Sequence, residues 1–495
     1  MFSYFEYIKV KYSMSDEIFD FVEFTQNFAL LFGLIPGVIL YLLKPKKSSI
    51  LGLLCVAASL MLTSQLVSGD SSHIADNNKQ YLFLVCVLSG QGACLVVLAT
   101  LQALMNMQTV MASAIVSSVL IGYFQAGDPL MQMVMLNLAD ESQFQSLLTY
   151  LAITAGIVLI MCAFVVSDEE DGEGGGGLSL SALKEKAQTL ASGVLYANTG
   201  YAYLLVAGII CFLLAYNLYA NNLEDETATK LIIGLAGFNL VLPVLIFFYL
   251  DQAIIEKWID SVGGYEEKLL EKGGDVSFGE AASGIQFWYL TFIAVVIIGC
   301  PLMIKENARS LAQQDTEDAL TIERMFLVAS VISAFESGLM ITWLQARMRP
   351  TWLIVIKTIA LMLACVVMIS PDSTSHGKVA GFASGWAFSG FLVGLAVFVH
   401  EEYGTEAFGI LYGSFLAAGG FGFYAFNEVL FGQIFSENAE RMPNGDYQLR
   451  QYGDWNSQLF TLCFGMSVVA FVCAVICHIT QKAKENFSGG SSIEF

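Results

Sequence analysis

Residues 379–435 read VAGFASGWAFSGFLVGLAVFVHEEYGTEAFGILYGSFLAAGGFGFYAFNEVLFGQIF: two apolar runs on either side of a polar turn, His400 to Ala407. A membrane-crossing helix needs about 20 apolar residues, because about 1.5 Å of rise per residue must cover about 30 Å of hydrocarbon. Both runs meet that length. Working outward in both directions, thirteen such stretches are found, near 20–43, 49–68, 81–104, 109–134, 147–166, 202–220, 229–250, 285–303, 324–345, 351–370, 379–400, 407–432 and 457–478. Strands of a membrane barrel would be about 10 residues long and alternate in polarity. These runs do neither, so the expected fold class is an all-α polytopic membrane protein.

Composition agrees. Hydrophobic residues make up 56% of the chain and charged residues only 14%, against about 25% charged in soluble domains. The net charge of −21 sits mostly in connections such as 167–175 and 251–280. No basic surface is left for nucleic acid, which is excluded as a partner. All ten cysteines fall in apolar spans, where Cys behaves as a small hydrophobe, so no disulfide framework follows. The four histidines, His73, His376, His400 and His478, have no Cys at metal-ligand spacing. No metal or cofactor is expected.

Along the chain, residues 1–19 form a polar segment carrying Glu6, Asp16 and Glu17, unlike an acid-poor transit peptide, and the first apolar run reads as an anchor that stays. A first half-bundle of five spans covers 20–166, with the basic turn KPKK, Lys44 to Lys47, after its first span. Residues 167–201 open with SDEEDGEGGGG, a solvated linker, followed by a possible surface-lying amphipathic helix. Two further spans fill 202–250, an acidic loop 251–284, a second half-bundle of six spans 285–478, and a tail 479–495. A second basic turn, Arg347 to Pro350, is followed by four spans, as is KPKK. This is the internal repeat of a transporter built from two similar halves. With the basic turns inside, the acidic loops NLADES and NNLEDE fall outside, and thirteen spans put the N-terminus outside and the C-terminus inside.

Ionisable residues inside spans mark transport chemistry, since a charge at mid-bilayer costs several kcal/mol unless paired or functional. The leading candidate is Glu336 in VISAFESGLM, either a proton carrier or a hydrogen-bonded structural carboxyl. Asp128, Gln125, Asn427 and Glu428 are further transport or coupling candidates in the outer thirds of their spans, where helix-packing roles compete. Nothing resembles a nucleophile with its base, a paired-carboxylate site or a phosphate loop. The chain is read as having no enzymatic activity.

The turn and its flanks carry Glu402, Tyr403, Gly404, Leu411, Tyr412, Gly419, Gly420 and Asn427, and in this they resemble helices 10 and 11 of the nodulin-like branch of the major facilitator superfamily. The stretch FWYLTFIAVVIIGCPLMIKENARSLA, 287–312, is similar to the family's seventh helix, and the two spans at 202–250 match the pair that branch inserts between its halves. The resemblance implies a two-half bundle of about 13 helices that moves a small solute across a lipid bilayer by alternating access. It places the chain in the plasma membrane or an endomembrane. Departures are also present. KPKK lacks the family's acid, arginines and glycines, Glu336 and Ser337 stand where the family has Gly-Arg, and the first half has one span before its basic turn instead of two, as though the first helix were missing. These features suggest the alternative, a transport-inactive accessory subunit of a larger assembly, such as one in the mitochondrial inner membrane. A partner membrane subunit would then fill the missing first-helix position beside 285–303.

Overall fold

A computed structural model describes residues 16–68, 79–106, most of 114–127, scattered positions in 149–156, and 275–312, 316–343, 349–369, 374–441, 447–449 and 454–488. Asp128, the linker 167–201, the spans expected at 202–250 and most of the span expected at 147–166 lie outside the described residues. The chain divides into two compact units, 1–272 and 273–495. Among the described residues seven helices are long and apolar enough to cross a membrane, within Leu34–Gln65, Gln80–Ala103, Ile285–Glu306, Pro350–Ile369, His376–Tyr403, Phe408–Asn438 and Trp455–Gln481.

In the first unit, α1 (Asp16–Leu31) is followed by α2 (Leu34–Ser68) and α3 (Lys79–Asn106). The apolar run at 20–43 is therefore not one helix, because it breaks at Phe32–Gly33. The amide Nε2 of Gln91 on α3 donates to Phe32 O at 3.0 Å and to Ala29 O, satisfying carbonyls that the end of α1 leaves unpaired. A second bend falls inside α2 at Lys44, whose φ of 66° and ψ of 165° are non-helical. Proline disfavours the helical region for the residue before it and suits the first position of the next helical segment. KPKK thus bends at Lys44, and helix resumes at Pro45, earlier than the expected 49.

The second unit contains α4 (Phe278–Ser283), α5 (Ile285–Glu306), α6 (Ala308–Leu311), α7 (Thr316–Trp343), α8 (Pro350–Ile369), α9 (Thr374–Tyr403) and α10 (Phe408–Tyr424). A seven-residue π-helix, π1 (Ala425–Phe431), then leads through α11 (Gly432–Asn438) to β1 (Ala439–Arg441), β2 (Tyr447–Leu449) and α12 (Asp454–Ser488). The antiparallel β1–β2 pair, with Ala439 opposite Leu449, is a small departure from the all-α expectation. Helix α9 packs on both α7 and α8, α10 on α5, and α12 on α8 and α5. Residues 391–400 of α9 are buried without interruption, which makes it the axis of this unit. On α12, Leu462, Met466, Val469, Val472, Ile476 and Ile479 are exposed at three- and four-residue intervals. A stripe of that kind suits lipid, where exposed apolar side chains carry no penalty.

The turn at 400–407 is held from a distance in sequence. Gly404 closes α9 with φ of 78°, a left-handed conformation that costs L-residues about 1–2 kcal/mol. The carboxylate Oδ1 of Asp275 accepts from the backbone N–H of Thr405 at 3.0 Å and of Glu406 at 3.3 Å, and Val276 N–H donates to Tyr403 O at 3.1 Å. The clasp continues into a capping box at α4. Ser277 Oγ accepts from Glu280 N–H at 3.4 Å, and Glu280 Oε2 accepts from Ser277 N–H at 3.0 Å and Ser277 Oγ–H at 2.8 Å. These bonds from Ser277 hold the Glu280 carboxyl below its ordinary value.

Candidate functional site

The site begins with how α7 and α9 meet. Gly377, Gly381 and Gly385 recur every four residues on one face of α9. A Cβ on Gly381 would stand 2.6 Å from Ile322 O, and one on Gly385 would press into Phe326 O. Small residues at this spacing let two membrane helices approach backbone to backbone. Two α7 hydroxyls then fix the register: Ser330 donates to Gly385 O at 3.2 Å and Ser333 to Trp386 O at 2.5 Å.

That register brings one face of α7, carrying Ser333, Glu336 and Ser337 at i, i+3 and i+4, against one face of α9, carrying Trp386, Ser389 and Gly390 at the same spacing. Between them comes Lys357 from α8. Its Nζ donates to Ser333 Oγ at 2.9 Å and to Glu336 Oε2 at 3.3 Å, and it lies 3.4 Å from the centroid of the Trp386 ring. The indole Nε1–H of Trp386 donates to the same Oε2. Gly390 leaves the room: a Cβ there would collide with Lys357 Cε and stand 2.6 Å from Ser333 Oγ. The Lys357 side chain is 0% exposed and that of Glu336 33%. The ammonium is sealed in, and the carboxylate is the partly exposed member of the pair.

Glu336, expected as a single acid among helices, is therefore the acidic half of an ion pair. Sequence reading missed the other half. Lys357 is the one charged residue in the 20 residues of α8, and that isolation was the available signal, since a lone lysine persists in such a span only when paired or functional. A buried pair of this kind contributes little net stability over apolar residues of similar size, because desolvation offsets most of the attraction.

The other expected residues do not join this cluster. Asn427 and Glu428 sit on π1. Asn307 Nδ2, at the end of α5, donates to Asn427 Oδ1 at 2.6 Å and to Met303 O at 2.8 Å, while Asn427 Nδ2 donates to Glu428 Oε1 at 2.9 Å. This network ties α5 to the π segment, and the Glu428 side chain is exposed. Gln125 is half-buried in a helical stretch of the first unit. Among the described residues no group of three His, Cys, Asp or Glu side chains is arranged to hold a metal ion.

No protein-family model and no curated protein matches the chain. Solved structures do. The human organic anion transporter MFSD10 shares 11% identity and a TM-score of 0.55, over 95% of this chain and 88% of that one. The major facilitator superfamily proton:xylose symporter XylE, solved with 6-bromo-6-deoxy-D-glucose, shares 11% identity and a TM-score of 0.52, over 95% of this chain and 90% of that one. At such low identity the likeness is one of fold. With its apolar spans, exposed apolar stripe and two helical units, the chain is an integral multi-pass membrane protein with the major facilitator superfamily fold.

Proposed function

We propose that the chain is a solute carrier of the nodulin-like branch, working by alternating access, with Glu336 and Lys357 at the centre of its coupling chemistry. The observation that carries this reading is the ion pair itself, held between three helices by Ser333 and Trp386 in a span where apolar residues would serve packing as well. A charged pair that opens and closes gives a carrier what it needs, two arrangements of similar energy that a ligand can bias. The seven motif residues Glu402 to Gly420 support the nodulin-like assignment by resemblance, with Asn427 on π1 as the eighth.

The test uses the purified chain in proteoliposomes, with wild type compared to the double substitution Glu336→Gln/Lys357→Met. Removing both charges together avoids a stranded buried charge, so the double variant is expected to stay folded. Solute counterflow is expected in wild type and to fall at least tenfold in the double variant. Equal counterflow in both would remove the pair from the mechanism, and a folded wild type that moves no solute would favour the accessory-subunit reading.

A further inference from the structure

The pair has one partly exposed member and one sealed member, and its charges sum to zero. In a low-dielectric bundle a net charge is what costs most: the idealised cost of burying one unpaired ion is on the order of 20 kcal/mol, and several kcal/mol remain after relaxation. Consider which loaded states keep the sum at zero. A proton alone on Glu336 leaves the Lys357 ammonium without its counter-charge, since Ser333 and the Trp386 ring are neutral. An anion alone beside Lys357 leaves a net negative site. A proton on Glu336 together with a monoanion on Lys357 restores neutrality.

The geometry points to a carrier that moves one small carboxylate monoanion with one proton, the anion taking the place on Lys357 that Glu336 vacates when it is protonated. This rests on the carrier function proposed above and names its solute class and coupling. The proton comes from water on the side to which Glu336 is open, rides as the carboxylic acid O–H, and leaves to water on the other side, so that no bond other than O–H is made or broken.

Three features of the site fit a carboxylate. Both donors now aimed at Glu336 Oε2, Lys357 Nζ and Trp386 Nε1, are already converged on a carboxylate oxygen and would serve an incoming one equally. The hydroxyls of Ser337 and Ser389 are fully buried with no hydrogen-bond partner among the described residues. They share the helix faces of Glu336 and Trp386, and give two further donors for a second oxygen. Finally, the side chain that must move is the partly exposed one, while the ammonium it leaves stays buried.

Among the described residues, the other charges on the elements packed on α7 stand away from the pair along their helices. Of the elements packed on α7, α8 contributes only Lys357. The ionisable residues of α9 are His376 and Lys378 near its start and His400 to Tyr403 at its end, all two or more turns from Trp386. On α5, Lys305 and Glu306 pair with each other at 3.3 Å at the helix end, and α6 carries Arg309. On α7 itself, Glu317, Asp318, Glu323 and Arg324 lie three turns or more from Glu336.

The experiment measures uptake by proteoliposomes of the full chain, against protein-free vesicles, of radiolabelled lactate, pyruvate and glycolate, with glycerol and ethanolamine as neutral and cationic probes. At least one monoanion is expected to accumulate about tenfold per unit of inward pH gradient, as one-to-one coupling requires, since one pH unit is worth about 1.4 kcal/mol. Accumulation should be unaffected when valinomycin and potassium clamp the voltage. In Glu336→Gln, whose amide stands in for the protonated acid, accumulation should no longer follow the pH gradient. Uptake confined to glycerol or ethanolamine would overturn the solute class while leaving a carrier, and monoanion uptake that follows voltage would overturn the coupling. No uptake of any probe, in vesicles shown to hold folded protein, would sink this inference along with the carrier reading.

Discussion

At the scale of single residues, Lys357 and Glu336 should behave as a unit in stability as well as in transport. Lys357→Met strands a carboxylate that is 33% exposed, so its loss should fall below the about 3–5 kcal/mol of breaking a fully buried pair from one side. Glu336→Gln strands the more deeply buried ammonium. The double substitution should recover most of the loss, and thermal unfolding in detergent would read the cycle. Additive losses would show that the two side chains do not depend on each other. Glu336 was visible in the sequence because a carboxylate in mid-span is conspicuous, whereas its partner 21 residues later could be matched to it only through the crossing of α7 and α8. The orientation of Trp386 was still less legible. It depends on the register that Ser330 and Ser333 fix against the glycine face of α9, and no local pattern encodes that register.

At the scale of elements, the turn that first decides the fold is also where backbone geometry is most constrained. Gly404→Ala would place an L-residue at φ of 78° and set its Cβ against Asp275 Oδ1. A loss of about 1–2 kcal/mol is expected from the backbone alone, seen as a lower midpoint of thermal unfolding, and an unchanged midpoint would show that the clasp is loose. Hydropathy revealed α5, α8, α9, α10 and α12 as long apolar helices, because a long apolar run suffices for that. It placed the start of α7 eight residues too late, since the polar first turns from Thr316 lie beyond the apolar run that marked 324. The π segment was illegible for a different reason. One extra residue per turn leaves no compositional mark, and only the bond between Asn307 and Asn427 shows what the wider turn is used for. The bend at Lys44 was half-legible: a turn was expected at the basic KPKK, but helix resumes immediately after Lys44.

At the scale of the molecule, the fold was readable because membrane insertion restricts the architecture to bundles of apolar helices or closed barrels. The paired basic turns then indicated two halves from the sequence. Function was less legible, because the fold serves many solutes and the residues that choose among them come together only in three dimensions. The features that set this chain apart from the family pattern it resembles, Glu336 and Ser337 in place of Gly-Arg above all, bear on whether it works as a carrier or as part of a larger assembly. Mild-detergent purification with native mass measurement, followed by reconstituted flux on the same sample, tests that choice most directly. A chain that purifies by itself and carries solute in a manner dependent on Glu336 and Lys357 is the predicted result; a stoichiometric complex with other membrane subunits and no flux would contradict it.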